Sequence, residues 1–308
     1  MTAKAEIVVV GSHAPGIFMR VKRIPKAGET VIGWDFNEPK DGGKGSNQAI
    51  AAALLGGKIS FVGCFSRDRI GEKGEKWLKE VGVDTTWIKY HETISTGVGF
   101  NLLDDNGVPA MVTSIGANAA ITKDYVEKAL HSMPNAKVML TQFEIPINVA
   151  LHAAKVAKEM GMISIVNPGP APEKPISGLD SAIILVPNET EAQVLLGQEP
   201  GEKYNAEELA KGLKEKYGIP VVIITLGENG IVGIDDEGLW KHAALKVDVV
   251  DTSGAGDAFC SSLAIAIVNG RSIRESSGWA CKVASLSVTK PGTIPAYPTL
   301  EEVNRIIK

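Results

Sequence analysis

Six short apolar runs, rich in β-branched residues and almost free of polar interruption, recur at 7–10, 59–64, 138–141, 163–166, 183–186 and 221–225. A strand that is apolar at every position must be covered on both faces. That points to a parallel sheet between two helical layers rather than an antiparallel sheet with one wet side. The intervening segments supply the helices: 148–160 and 206–217 carry helical periodicity and are closed by Gly161 and Gly218. A weakly polar helix is expected after Gly256 and a short one over 299–307. The expected fold class is therefore α/β, with a central, mainly parallel sheet flanked by helices on both faces. Two segments, 17–36 and 96–115, instead alternate polar and apolar residues, and the second carries Asn106-Gly107, a hairpin signal. They read as antiparallel strands of a small β-sheet lid inserted in one α/β domain spanning 1–308.

Composition excludes several classes. The 32 Lys+Arg against 36 Asp+Glu leave a net charge of −4, so no broad cationic field meets a nucleic-acid backbone or an anionic membrane. The apolar stretch at 258–270 falls short of the roughly 20 residues of a membrane span. The first residues are too briefly apolar and too early charged for a signal peptide. Cys64, Cys260 and Cys281 form no CxxC pair, which argues against a disulfide framework or a zinc site and for a reducing cytoplasm. The five histidines show no metal-ligand spacing, and no GxSxG, GxGxxG or HRD/DFG pattern is present.

Four short motifs carry chemistry. In Asp251-Thr252-Ser253-Gly254-Ala255-Gly256-Asp257, between a strand-like 246–250 and a helical 258–269, small residues let backbone N–H groups converge at a helix N-terminus. This makes a phosphate-sized anion hole. A carboxylate there competes with an anionic ligand unless it has its own task, such as taking the proton of an attacking hydroxyl. Read alone, the run is equally a glycine-rich cap with Asp257 serving the helix dipole. In Asp41-Gly42-Gly43-Lys44-Gly45-Ser46-Asn47-Gln48, before an alanine-rich helix at 49–55, Gly42 and Gly43 allow close backbone approach. Asp41, Lys44 and Asn47 suit a polyhydroxylated ligand. No glycine stands where a Walker A loop needs one. Asn188 and Glu191 follow the strand at 183–186, where open α/β sheets bind ligands, and either hold a hydrated Mg²⁺ or serve the helix dipole. Thr225-Leu226-Gly227-Glu228-Asn229-Gly230 is a glycine-bearing turn or a plain hairpin.

In this order, GGKGSN at 42–47, PNETE at 187–191, TLGENG at 225–230 and DTSGAGD at 251–257 resemble the ribokinase-like (PfkB-type) carbohydrate kinases over essentially the whole chain. The resemblance implies a cytoplasmic enzyme that uses ATP and Mg²⁺ to phosphorylate a primary hydroxyl of a small sugar. It makes Asp257 the general base, with Gly254, Ala255 and Gly256 stabilising the transferring phosphoryl group. Gly42, Gly43, Lys44 and Asn47 would hold the sugar with Glu144 of Gln142-Phe143-Glu144-Ile145-Pro146. Asn188, Thr225, Gly227, Glu228 and Gly230 would bind the nucleotide, and Glu191 the Mg²⁺ through water. Asp251, Ser253, Ser287, Lys290 and Gly292 fall on the positions of a K⁺ loop, with Ala296 where ribokinases often have serine.

One departure concerns the acceptor. Ribokinases typically place an Asn and an Asp after the first strand to bind sugar hydroxyls, whereas this chain reads Gly11-Ser12-His13-Ala14-Pro15-Gly16. Ala14 and Gly16 make no side-chain hydrogen bond, which favours a different or bulkier substrate, with His13 as substitute donor. Ribose still fits if another lid residue or a water replaces both contacts. The alternatives are a kinase of a sugar acid, polyol or nucleoside, with Arg20, Lys22 or Arg23 facing an acid's carboxylate, and a catalytically silent sugar-binding regulator. Because two-stranded ribbons are marginal alone, the lid is expected to pair with a second copy in a homodimer.

Overall fold

The computed structural model describes residues 5–105 and 109–307. Its strands are β1 (Ile7–Val10), β2 (Gly16–Val21), β3 (Gly33–Asn37), β4 (Ile59–Ser66), β5 (Asp84–His91), β6 (Val98–Leu103), β7 (Pro109–Ser114), β8 (Val138–Gln142), β9 (Ile163–Asn167), β10 (Ile184–Leu185), β11 (Val221–Thr225), β12 (Ile231–Asp235) and β13 (Gly238–His242). The helices are α1 (Gly43–Leu54), α2 (Arg69–Glu80), α3 (Lys123–His131), α4 (Ile147–Glu159), α5 (Glu189–Leu196), α6 (Ala206–Tyr217), α7 (Ala255–Val268), α8 (Ile273–Ser287) and α9 (Leu300–Ile306).

All six apolar runs enter one nine-stranded sheet, ordered β13-β12-β11-β10-β9-β8-β1-β4-β5. Every pairing from β11 to β5 is parallel, and only β12 and β13 join antiparallel. Why these strands lack alternation is visible in β1. Ile7 and Val9 pack into the layer of α1, α2, α7, α8 and α9, while Val8 and Val10 pack into the layer of α3, α4, α5 and α6. All four side chains are fully buried. Each contributes about 1.5–3 kcal/mol relative to an exposed position, so a polar residue on either face would be costly.

Several elements differ from the sequence reading. Strands β5 and β13 were not anticipated because Asp84–His91 mixes polar and apolar residues, Gly238–His242 is short, and both are mostly only partly buried edge strands. Residues 246–250 form no strand; the sheet edge is already taken by the β12–β13 hairpin, Val249 and Val250 are exposed, and Val250 N donates to Val288 O. Helix α1 starts at Gly43 rather than 49, because groups outside the helix satisfy its first amides. Helix α7 likewise starts at Ala255.

The two alternating segments form a separate four-stranded sheet, β3-β2-β6-β7. Its outer pairs are antiparallel as expected, but the central pair β2–β6 is parallel. The reason lies in the main sheet: β2 and β6 leave the carboxyl ends of β1 and β5, which point the same way. Asn106-Gly107 lies outside the described residues. Among the described residues, no helix is long and apolar enough to cross a membrane.

Candidate active site

The motifs gather at the carboxyl ends of the parallel strands, on both sides of β1, where chain order along the sheet reverses. Ser12, in the turn after β1, donates its hydroxyl to Glu144 Oε2 at 2.6 Å, and Lys44 N donates to the same oxygen at 2.8 Å. Gly45 N donates to Ser12 Oγ at 3.2 Å. The Glu144 carboxylate, just beyond β8, therefore meets the open amides of the first turn of α1 and the positive end of its dipole. This contact demands glycine. A β-carbon on Gly45 would stand 2.3 Å from Ser12 N, and one on Gly43, whose φ is 72°, would stand 2.9 Å from Glu144 Oε2. Gly42 is buried beside them, its N–H donated to Asn47 Oδ1 at 2.9 Å.

Asp257 sits in the first turn of α7 and is only 5% exposed. Its Oδ1 accepts from Gln48 Nε2 at 3.0 Å, and Asn47 Nδ2 lies 3.5 Å from Oδ2. Burial pushes its carboxyl up to about 6, against the pull of the Lys44 ammonium and the Gln48 hydrogen bond. Such a group is mostly ionised at pH 7 yet basic enough to accept a proton. Burial alone would lower the pKa of Lys44, but the carboxylates of Asp257, Glu191 and Glu144 hold it above the ordinary lysine value. Lys44 and Glu191 both face Gly169, where a β-carbon would fall 2.8 Å from Lys44 Nζ and 2.6 Å from Glu191 Oε1.

Gly254 caps α7 in the left-handed region at φ 74°, with Ala255 and Gly256 following. A β-carbon on Gly256 would meet nothing within 4 Å, so open space lies over that position, while the side chains of Tyr297 and Thr293 pack at Gly254. Asn188 and Glu191 bond to each other. Glu191 N donates to Asn188 Oδ1 at 2.8 Å and Asn188 N to Glu191 Oε2 at 2.9 Å, a reciprocal cap of α5. The cap reading is thus seen directly: Oε2 serves the cap, and Oε1 takes no part in it. Burial raises the Glu191 carboxyl, and Lys44 pulls it back. Among the described residues no group of three or more His, Cys, Asp or Glu could cage a metal. One remaining carboxylate oxygen fits an ion that arrives with phosphates and keeps its waters.

Thr225 forms a parallel bridge with Asn188, which brings TLGENG beside PNETE. Gly227 and Gly230 take positive φ, Glu228 is exposed, and the turn also closes the β11–β12 hairpin. Segments 251–253 and 287–292 meet through Asp251, whose carboxylate accepts from Ser253 N at 2.9 Å and Gly292 N at 2.8 Å. Burial alone would raise that carboxyl, but these two N–H groups hold it low. The side chains of Ser287 and Lys290 turn elsewhere, to Ala284 O and Glu302.

Three contacts were not legible as motifs. First, His13 is no substitute donor. Its ring is fully buried against Phe65 and Trp77, and Nδ1 bonds Ser46 Oγ at 3.0 Å. Gly74 packs against the ring, and burial lowers its pKa to about 4. Second, the space beside Gly16 is taken by other polar residues, since a β-carbon there would lie 3.1 Å from both Asp41 Oδ2 and Asn101 Nδ2. Asp41 is oriented by Gly16 N, Asn47 Nδ2 and Thr293 Oγ1, at 2.8, 2.8 and 3.0 Å. Third, Gln142 reaches Gln48 behind Asp257, at 2.6 Å. Of the lid cations, Arg20 pairs with Asp35 and Arg23 with Glu29.

Comparison with known proteins agrees with this geometry. Residues 4–300 match the model of the pfkB family carbohydrate kinases. The chain is 32% identical to a ribokinase of Haemophilus influenzae over 299 residues, covering 96% of each. It is 29% identical to a deoxyribokinase of Salmonella typhi over 303 residues, covering 98% of each. The solved structure of Arabidopsis thaliana ribokinase complexed with ribose and ATP superposes with a TM-score of 0.89 at 31% identity, covering 99% of both chains. The buried carboxylate at the head of a glycine-led helix thus sits in a fold shared with sugar kinases from end to end, and the chain belongs to the pfkB family of carbohydrate kinases.

Proposed function

We propose that this enzyme transfers the γ-phosphoryl group of ATP to a primary hydroxyl of a small sugar in the cytoplasm, as one α/β catalytic unit with its lid. The observation that carries the reading is Asp257: buried, raised toward neutrality, and placed between a glycine-led helix N-terminus and the polar side chains of α1. Asp257 takes the proton of the acceptor hydroxyl through Oδ2. The first-turn amides at Gly254, Ala255 and Gly256 receive charge developing on the phosphoryl oxygens. Gly42, Gly43, Lys44, Asn47 and Glu144 hold the sugar, and Asn188, Thr225, Gly227, Glu228 and Gly230 line the nucleotide site. Lys44 also screens the phosphates from the carboxylates of Asp257 and Glu191. Mg²⁺, bound with the nucleotide and met by Glu191 through water, supplies neutralisation of phosphate charge. K⁺, where bound, would lie at the loop of Asp251, Ser253, Ser287, Lys290 and Gly292 and take carbonyl and carboxylate oxygens there, since the Lys290 ammonium only donates and bonds Glu302.

A coupled assay of ADP release over pentoses, deoxypentoses, hexoses, tetritols, sugar acids and nucleosides, with and without K⁺, tests the reading. Turnover with a small sugar is expected, and no ATP turnover with any acceptor would leave a silent sugar-binding protein. The kcat/KM for the sugar is expected to fall as pH drops through about 6, because the base is lost on protonation and burial has raised its pKa. A limb near 4 would remove Asp257 from the role.

The acceptor pocket favours a sugar of ordinary pentose shape. The carboxylate of Asp41 and the amide of Asn101 converge on Gly16, the same two groups that Ala14 and Gly16 lack. Asp41→Ala is expected to raise the sugar KM about 10–100-fold, as for one lost buried hydroxyl contact, while the ATP KM stays within about threefold. An unchanged sugar KM would return the pocket to a larger acceptor. Phe36, Phe100, Met111 and Val112 leave the lid with exposed apolar surface, the last two more than two-thirds exposed. This supports a homodimer through the lid, checked by sedimentation at micromolar concentration.

A further inference from the structure

Asp257 has two carboxylate oxygens, and nothing in α7 decides which of them faces the acceptor, since the torsion that exchanges them is soft and roughly two-fold. The constraint comes from α1. Gln48 is fully buried and donates Nε2–H to Asp257 Oδ1 at 3.0 Å. The direction of its amide is dictated by chemistry. A carboxylate only accepts, so Gln48 must show it the NH₂ group, which turns the Gln48 carbonyl toward Gln142. Gln142, also fully buried, must answer with its own NH₂, and Gln142 Nε2 donates to Gln48 Oε1 at 2.6 Å. The chain ends at Gln142 Oε1, which is buried, has no partner and presses on Gly11, where a β-carbon would stand 2.3 Å away. Ser261 Oγ fixes the spacing of the two helices, 2.8 Å from Gln48 O and 2.7 Å from Asp257 O.

Neither glutamine is open to substrate. Burying two amides and orphaning one carbonyl is unfavourable compared with an apolar pair of the same shape, so the arrangement needs a reason other than stability. We propose that Gln48, backed by Gln142, is a positioning residue: it pins Oδ1 of Asp257 so that Oδ2 alone is presented to the acceptor hydroxyl. Because Gln48 shares α1 with Lys44 and Asn47, one helix aligns both the base and the sugar. The proposal rests on Asp257 being the base. The charged and titratable groups around that carboxylate are Lys44 of α1, Asp41 before it, Glu144 after β8, Cys260 of α7 and Tyr297 near the C-terminus.

The test compares Gln48→Leu, Gln142→Leu, the double variant, Gln48→Glu and Asp257→Asn by steady-state kinetics between about pH 5 and 9, with circular dichroism as the fold control. Gln48→Leu is expected to lower kcat about 10–100-fold, the cost of a misplaced base, with both KM values within about threefold. Its acid limb should move up by about one pH unit, because the lost hydrogen bond favoured the ionised form. Gln142→Leu should act in the same direction but less. The double variant should match Gln48→Leu alone, since Gln142 acts only through Gln48. Additive losses, or an unmoved acid limb in folded Gln48→Leu, overturn the proposal. Should Gln48→Leu not fold, the near-isosteric Gln48→Glu replaces it. A second carboxyl beside Asp257 must raise the acid limb at least as far, and an unmoved limb there is equally fatal. Asp257→Asn separates the two levels. Near-normal turnover by that variant removes the base and the positioning role together. An inactive Asp257→Asn beside wild-type-like Gln48 variants removes the positioning role alone.

Discussion

Asp257→Asn is expected to bind nucleotide normally and to lose about 10²–10⁴-fold in turnover, the range for loss of a general base. The same substitution should stabilise the fold at alkaline pH, which a purely structural aspartate would not do. The carboxyl of Asp257 rises from 3.8 to about 6 on folding, so the folded chain holds that proton more tightly than the unfolded one. The stabilising contribution is therefore full below pH 3.8 and lost as pH rises through about 6. At pH 8 the protein carries a buried ionised group at a cost of a few kcal/mol, since each tenfold change in proton affinity is worth about 1.4 kcal/mol. Thermal melts of Asp257→Asn and wild type should diverge at pH 8, with the variant the more stable, and converge near pH 4. Coincident melts at both pH values would mean that the carboxylate is not under strain.

Gly45→Ala is expected to damage both the fold and the site, because its methyl has no room. Its β-carbon would stand 2.3 Å from Ser12 N, 2.6 Å from Ser12 O and 2.7 Å from Gly11 C, all main-chain atoms with no rotamer to give. The first turn of α1 would have to leave β1, and with it the Lys44 N–H and the Ser12 hydroxyl that hold Glu144. Overpacking of this kind costs about 1–3 kcal/mol or more. For a chain of this length the melting temperature should fall by roughly 1–2 °C per kcal/mol. A sugar KM raised at least tenfold in the folded fraction would accompany it, on the scale of lost buried hydrogen bonds of ~1–3 kcal/mol. Wild-type melting would show that α1 can retreat without consequence.

The central fold was legible because its physics is one-dimensional. A strand buried on both faces writes an uninterrupted apolar run, and Ile7–Val10 or Val221–Thr225 can be read that way without tertiary knowledge. Edge strands such as Asp84–His91 write no such signal, since one side of their backbone and part of their surface stay wet. The glycine motifs were legible as chemistry, but their bounds were not. Whether Gly43–Gln48 is loop or helix depends on Glu144, a residue about 100 positions away. Contacts made by ordinary residues at long range left no trace: Gln142 against Gln48, Asp41 and Asn101 against Gly16, and the burial of His13 under Gly74. A glutamine in a sequence does not announce which neighbour it will orient.

The polar cluster at Gly16 has a consequence for how such an enzyme can diversify. Its two polar groups come from residue 101 on lid strand β6 and residue 41 just before α1, while the proton-accepting and anion-facing groups sit on α7. If the proposed roles hold, part of the recognition surface lies on stretches of chain other than α7. On the proposed roles, a change of acceptor can begin with substitutions in the lid and the 41 turn, away from α7. That modularity makes positions 14, 16, 41 and 101 the natural set for redirecting this kinase to a new sugar by design.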